Sequence, residues 1–201
     1  ANPSTYNNNA YLANNRYTLD GQSAPLGEYG VAPGGFGDIL IAVFDSIDLK
    51  PWGTYGLRDG LLINQNHQFG NTNNYNPNDS RGRRVEYWFS FQVNSTNGLN
   101  NAINMIQNEV PNGNYILMYT SVRALFQNAN FWKNEHFSAF EALGADSIRY
   151  VGNNNPYIFL AKKGYPNTAI EVVGKNSTDN IQLDTKVSSN IQFGKIKGTE
   201  V

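Results

Sequence analysis

The chain of 201 residues contains two histidines, His67 and His136, and imidazole is the side chain most often used for general acid–base chemistry. A hydrolytic triad places such a base between a nucleophile and an orienting group, within hydrogen-bond reach of both. His136 lies in Asn134-Glu135-His136-Phe137, at the start of a helical pattern, and is expected on the helix surface. His67 lies in a polar loop, and no serine stands in a nucleophile-elbow context. Asp45 and Asp48 are close enough in sequence for paired-carboxylate chemistry. They flank a turn after an apolar strand, however, where aspartate commonly serves the backbone. Gly34-Gly35-Phe36-Gly37 precedes a strand instead of following one, so it is not a dinucleotide fingerprint. No catalytic residue, metal or cofactor is expected, and the chain reads as a non-enzyme.

Binding chemistry is better represented. A sugar ring packs its C–H face on an aromatic side chain, and neighbouring amides read its hydroxyls. Trp52 and Tyr55 sit in the loop Lys50-Pro51-Trp52-Gly53-Thr54-Tyr55-Gly56, bracketed by proline and glycine, and loops concentrate binding residues. Trp132 leads into a helix and is expected to be half-buried, while Trp88 lies in a strand and reads as core. About one residue in seven is asparagine, well above average usage. Such a polar, uncharged, aromatic surface suits extracellular and carbohydrate-rich settings, although an AT-rich genome gives the same bias.

Bulk properties narrow the classes further. Hydrophobic content of 40% and aromatic content of 13% describe a chain that folds. A net charge of -1, with Arg81, Arg83 and Arg84 as the tight basic cluster, makes nucleic acid an unexpected partner. Cysteine is absent, which removes disulfides, thiol catalysis and the usual structural zinc sites. No apolar run approaches the length of a membrane-spanning helix, so no membrane insertion is expected. Asn94-Ser95-Thr96 and Asn176-Ser177-Thr178 match the N-glycosylation sequon.

The elements that would position these groups follow from hydrophobic periodicity. Residues 1–35, rich in Asn, Pro, Gly and Tyr, read as an extended arm or linker. Ile39-Leu40-Ile41-Ala42-Val43-Phe44 is a continuous apolar run, typical of a strand covered on both faces. Leu61-Leu62-Ile63 and residues 85–93 are further strands, and residues 70–83 form a turn-rich insertion. Ser95 or Thr96 caps a helix whose buried face is Leu99, Ala102, Ile103, Ile106 and Val110. A strand at 115–120 is followed by a helix through Phe137, Phe140 and Leu143 that stops at Gly144. Strands near 147–151 and 157–161 and at 168–173 complete a core domain over residues 36–175. Residues 176–201 alternate apolar and polar through Ile181, Leu183, Ile191, Phe193 and Ile196, and read as C-terminal strands or the start of a following domain. The mixed order of strands and helices predicts an α+β fold with mostly antiparallel sheets. The chain reads as a piece of a longer protein.

In order and spacing these elements resemble the interleukin-like EMT inducer domain (ILEI/PANDER type). The resemblance rests on Gly37-Asp38-Ile39-Leu40-Ile41-Ala42-Val43-Phe44-Asp45, the helix at 97–109, Pro111-Asn112-Gly113-Asn114-Tyr115-Ile116-Leu117-Met118, Glu141-Ala142-Leu143-Gly144-Ala145, Tyr157-Ile158-Phe159-Leu160-Ala161-Lys162-Lys163-Gly164 and Thr168-Ala169-Ile170-Glu171. It covers roughly two thirds of the chain. It implies an ILEI-like sandwich of two mostly antiparallel sheets packed with about three helices. A related domain forms the glycan-binding stem of an O-mannose N-acetylglucosaminyltransferase, and bacterial versions resembling this chain occur in large type IX secretion-associated surface proteins of Bacteroidota. The implied function is a non-catalytic, carbohydrate-binding or protein-interaction module, secreted or on the outer-membrane surface of a Gram-negative bacterium. Its implied partners are a glycan or neighbouring domains of a parent that can carry a separate peptidase domain. The family's Arg-Asp pair before the aromatic strand is replaced here by Asn154 and Asn155, between Asn153 and Tyr157. Asparagine can bond a sugar hydroxyl but lacks the charge and the bidentate fork of arginine. Asn153, Asn154, Asn155 and Tyr157 therefore join Trp52, Tyr55 and Trp132 as expected ligand-binding residues.

Overall fold

The structure is a computed structural model, and it describes residues 18–19, 22–23, 38–53, 56–58, 61–63, 88–120 and 124–188. Two short antiparallel ribbons precede most of the fold: β1 (Thr18–Leu19) with β2 (Gln22–Ser23), and β4 (Gly56–Arg58) with β5 (Leu61–Ile63). The main body is one five-stranded, fully antiparallel sheet. Its strands are β3 (Asp38–Phe44), β6 (Phe89–Gln92), β7 (Tyr115–Thr120), β8 (Tyr157–Lys162) and β9 (Tyr165–Val173), in the order β6-β3-β7-β8-β9. Two α-helices accompany it, α1 (Thr96–Asn104) and α2 (Asn134–Glu141). The protein is thus α+β, built on an antiparallel sheet.

Register decides which side chains meet. Ile41 lies opposite Phe89 on one side and Met118 on the other, and Met118 in turn faces Phe159. Because side chains alternate across a strand, this row and its neighbours two residues away share one face. Ile39, Val43, Phe91, Ile116, Tyr157 and Ala161 join it, and the helices supply Leu99, Ala102, Met105, Ile106 and Phe140 to the same core. The opposite face carries a second cluster of Leu40, Trp88 and Tyr119, with Leu117 and Ile158 packed against it. All six residues from Ile39 to Phe44 are buried, as a strand covered on both faces requires.

Local chemistry sets the helix limits. The Ser95 side chain accepts the Gly98 N–H and caps α1. After Asn104 the backbone widens into a π turn, Met105–Glu109, closed by the Val110 N–H donating to the Met105 carbonyl at 3.0 Å. The Lys163 ammonium then donates to the carbonyls of Gln107 and Val110, joining the helix end to the β8–β9 turn. Its desolvation there pushes the Lys163 pKa down. Helix α2 ends at Glu141, and the turn that follows runs to Gly144, whose φ of 99° is a left-handed backbone that glycine adopts without cost.

The strand expected near 147–151 is replaced by a turn, and the expected C-terminal strands do not form over residues 174–188, while 189–201 lie outside the described residues. Residues 148–150 form a 3-10 turn, Ile148–Tyr150, and not the strand expected near 147–151. Ile148 and Val151, three apart, both point into the core, so the apolar spacing serves a helical turn and not a period-two ladder. In the described part of the C-terminal segment, residues 174–188, no strand forms. There Lys175 N–H donates to Asp179 and the Asn176 side chain accepts from Thr178, so side chains satisfy backbone groups that a ladder would otherwise use. The insertion at 70–83 lies outside the described residues, as does most of the arm at 1–35. No helix among the described residues is long and apolar enough to cross a membrane.

Candidate functional site: a pinned asparagine turn with an exposed tyrosine

The sequence-predicted aromatic platforms are inside the protein. Trp52 is 6% exposed, Trp132 3% and Tyr157 0%, and all three belong to the main core. Trp132 stacks on Phe137 with ring centroids 4.9 Å apart and lies tilted against Phe126 at the same distance. Tyr157 meets Phe126 edge-on. A stacking platform needs an open ring face, and these rings are covered by the core. Tyr55 lies outside the described residues, as does His67. Trp88 is core, as its strand position suggested.

His136 is not on the helix surface. It is 1% exposed, and both ring nitrogens are committed. Nδ1 accepts the Lys133 backbone N–H at 2.9 Å, the place a Glu or Gln side chain takes at the third position of a capping box. Nε2 lies 3.0 Å from Asn100 Oδ1 on α1 and, with Nδ1 accepting, carries the proton that it donates. Burial pushes the His136 pKa below its ordinary value, which favours this neutral form. The imidazole therefore pins α2 to α1 and has no nitrogen free for a substrate. Asp45 and Asp48 also serve the backbone. Asp45 accepts from Ile47 N–H at 2.7 Å, and Asp48 accepts from Lys50 N–H and pairs with the Lys50 ammonium, which lowers its pKa.

The asparagine turn is where polar groups converge at the surface. Asn153 Oδ1 accepts the Gln127 N–H at 2.8 Å, and the Asn154 N–H donates to the Ala124 carbonyl at 2.8 Å. Asn154 has a φ of 64°, a left-handed conformation that asparagine tolerates better than most residues. Asn155 turns the other way: its Nδ2 donates to the Gly174 carbonyl at 3.1 Å and fastens the chain leaving β9. Asn153 and Asn154 are exposed, whereas Asn155 is half-buried and structural. Gln127 completes the tie, its amide donating at 2.8 Å to the carbonyls of both Arg149 and Val151.

Those two carbonyls flank Tyr150, which is 83% exposed. Nothing in the sequence marked this ring, because residues 147–151 read as a strand and no signal set the tyrosine apart from its eleven counterparts. Beside it, Arg149 makes a bidentate pair with Glu141 and lies 5.0 Å above the Phe137 ring. The pairing raises the Arg149 pKa and lowers that of Glu141, so the two charges neutralise each other. Further inside, the Tyr157 hydroxyl donates to Glu171, whose carboxylate also accepts the Ser147 N–H at 3.0 Å. Burial, with Glu171 beside it, pushes the Tyr157 phenol far above its ordinary range, so it acts as a fixed donor. The segment 145–157 is thus held at both ends and in the middle. Its exposed residues are Asp146, Tyr150, Asn153 and Asn154, so the turn itself presents one aromatic ring and two amides. Comparison of the whole chain with protein-family models and with curated proteins finds no match.

Proposed function

We propose that the chain is a non-catalytic binding module of a larger secreted or cell-surface bacterial protein, with carbohydrate as its ligand class. The observation that carries this reading is the rigid 150–154 surface, where Tyr150, Asn153 and Asn154 stand exposed on a backbone fixed by Gln127 and Ala124. The commitment of both His136 nitrogens to helix packing supports a role without catalysis. An interleukin-like EMT inducer domain, with a second sheet and a third helix completing a sandwich, is part of the proposal. So is a setting in a type IX secretion-associated surface protein of Bacteroidota. Binding on a glycan array tests the ligand class. Retention of at least one carbohydrate is the expected result, and a blank array on folded protein refutes it.

A second reading, a spacer or docking module for neighbouring domains, is favoured by a different feature. Strand β9 pairs only with β8 among the described residues, and its Tyr165, Ile170 and Val173 are exposed. A sheet edge of nine residues with apolar side chains is a template for strand addition.

A further inference from the structure

We propose that Tyr150 is the stacking platform of the carbohydrate site, with the Asn153 and Asn154 amides reading hydroxyls beside it, and that the site takes neutral sugars. The inference rests on the carbohydrate reading above and adds to it a location and a charge preference.

An exposed tyrosine alone means little, since single apolar side chains are common on protein surfaces. The mounting of this one is the argument. Ile148, two residues before it, and Val151, directly after it, are both buried, and the carbonyls of Arg149 and Val151 on either side of it are held by one glutamine amide. The ring therefore stands on a backbone with little freedom left to lose, and a pre-ordered contact group binds at lower entropic cost. A tyrosine offers a flat apolar face with a polar tip, which suits a ligand that is apolar on one side and hydroxylated at its rim.

The amides complete the site. Asn153 spends its Oδ1 on Gln127, which leaves its Nδ2 as donor. The exposed Asn154 has its backbone fixed by Ala124. Together they offer neutral donors and an acceptor within four residues of the ring. The charge preference follows from Arg149. Its guanidinium is bonded to Glu141 through two nitrogens and covers Phe137, so the positive charge next to Tyr150 is already neutralised. A sugar acid or sulfated glycan would meet no uncompensated cation from this residue, and a neutral hexose or pentose polymer fits better.

The test is affinity electrophoresis of the full chain in gels containing mannan, xylan, galactomannan or laminarin, with alginate and heparin as charged probes. Retardation by at least one neutral polymer and by neither charged one is expected. Tyr150→Ala should weaken the retaining interaction by about three- to tenfold, the usual range for one aromatic contact. Tyr150→Phe should keep most of it, and Asn153→Ala should weaken it less than Tyr150→Ala. Circular dichroism should be unchanged in both Tyr150 variants, because that ring is exposed, whereas Asn153→Ala also gives up the hydrogen bond from Gln127 N–H and is read only against its own folded baseline. Binding that survives Tyr150→Ala overturns this site and leaves the carbohydrate reading standing. Retention by the charged polymers alone overturns the neutral preference. No retention by any polymer overturns the site and the reading together.

Discussion

Replacing Gly98 by alanine sets two effects of opposite sign against each other in the first turn of α1. In a free helix the change would stabilise by about 1 kcal/mol, because glycine gives up more backbone entropy than alanine does. In this protein a Cβ at position 98 would lie 2.0 Å from the Gln92 carbonyl oxygen and 2.9 Å from its carbon. Both are backbone atoms of β6, which is held in register by β3 through Asp38 opposite Gln92. Relief therefore requires α1 to lift by roughly 1 Å, and overpacking of this kind costs about 3 kcal/mol when nothing can yield. The expected net loss is about 2 kcal/mol. The shift would also disturb the contact between Asn100 and His136, so the loss should be accompanied by a changed titration of the histidine. Urea unfolding followed by tryptophan fluorescence measures the first effect, and NMR titration of the imidazole the second. Asn101→Ala, on the exposed side of the same helix, is the control and should be neutral or stabilising by a few tenths of a kcal/mol. A Gly98→Ala protein as stable as the wild type would refute the close packing of α1 on β6 and the reasoning built on it.

Two further outcomes follow from the buried polar groups. The His136 pKa is lowered in the folded protein, so the unfolded chain binds the extra proton first. The stability tied to the neutral ring is fully present above the unfolded value of about 6.5 and is lost as pH falls through the folded value. Wild-type protein should lose stability on acidification below about pH 6.5, and His136→Gln should flatten that slope; denaturant midpoints measured from pH 8 to pH 5 check it. Tyr157→Phe removes the buried hydroxyl that donates to Glu171 and should cost about 1–2 kcal/mol, since the carboxylate keeps only the Ser147 N–H. Adding Glu171→Gln should cost less than the sum of the two single changes, and strict additivity in the double-mutant cycle would contradict a shared interaction.

The parts of the fold governed by local pattern were legible in the chain. The apolar run from Ile39 to Phe44, the spacing of Leu99, Ala102 and Ile106, the Ser95 cap and the stop at Gly144 each state their own conformation, because side-chain period and backbone propensity act over a few residues. The turn at Ile148–Tyr150 was not legible. Its β-branched and aromatic residues favour a strand, and only the placement of Ile148 and Val151 on the same core overrides that preference.

The candidate site divides along the same line. That Asn153, Asn154 and Asn155 make a turn before a strand follows from their types alone. Composition likewise rules out disulfides and thiol chemistry within the given sequence. Which aromatic ring faces solvent is a property of the packed molecule. Trp52 and Trp132 look like binding residues in one dimension, but a tryptophan is the largest apolar surface available to fill a core, and the sheet and helices bury both. His136 sits in a helix start that reads as surface, yet α1 crosses it and Asn100 claims its second nitrogen. Tyr150 reaches the solvent because Ile148 and Val151 go inward and a glutamine more than twenty residues away holds the carbonyls around it. Burial and long-range hydrogen bonding are set by contacts between segments far apart in sequence, so only the tertiary structure decides them.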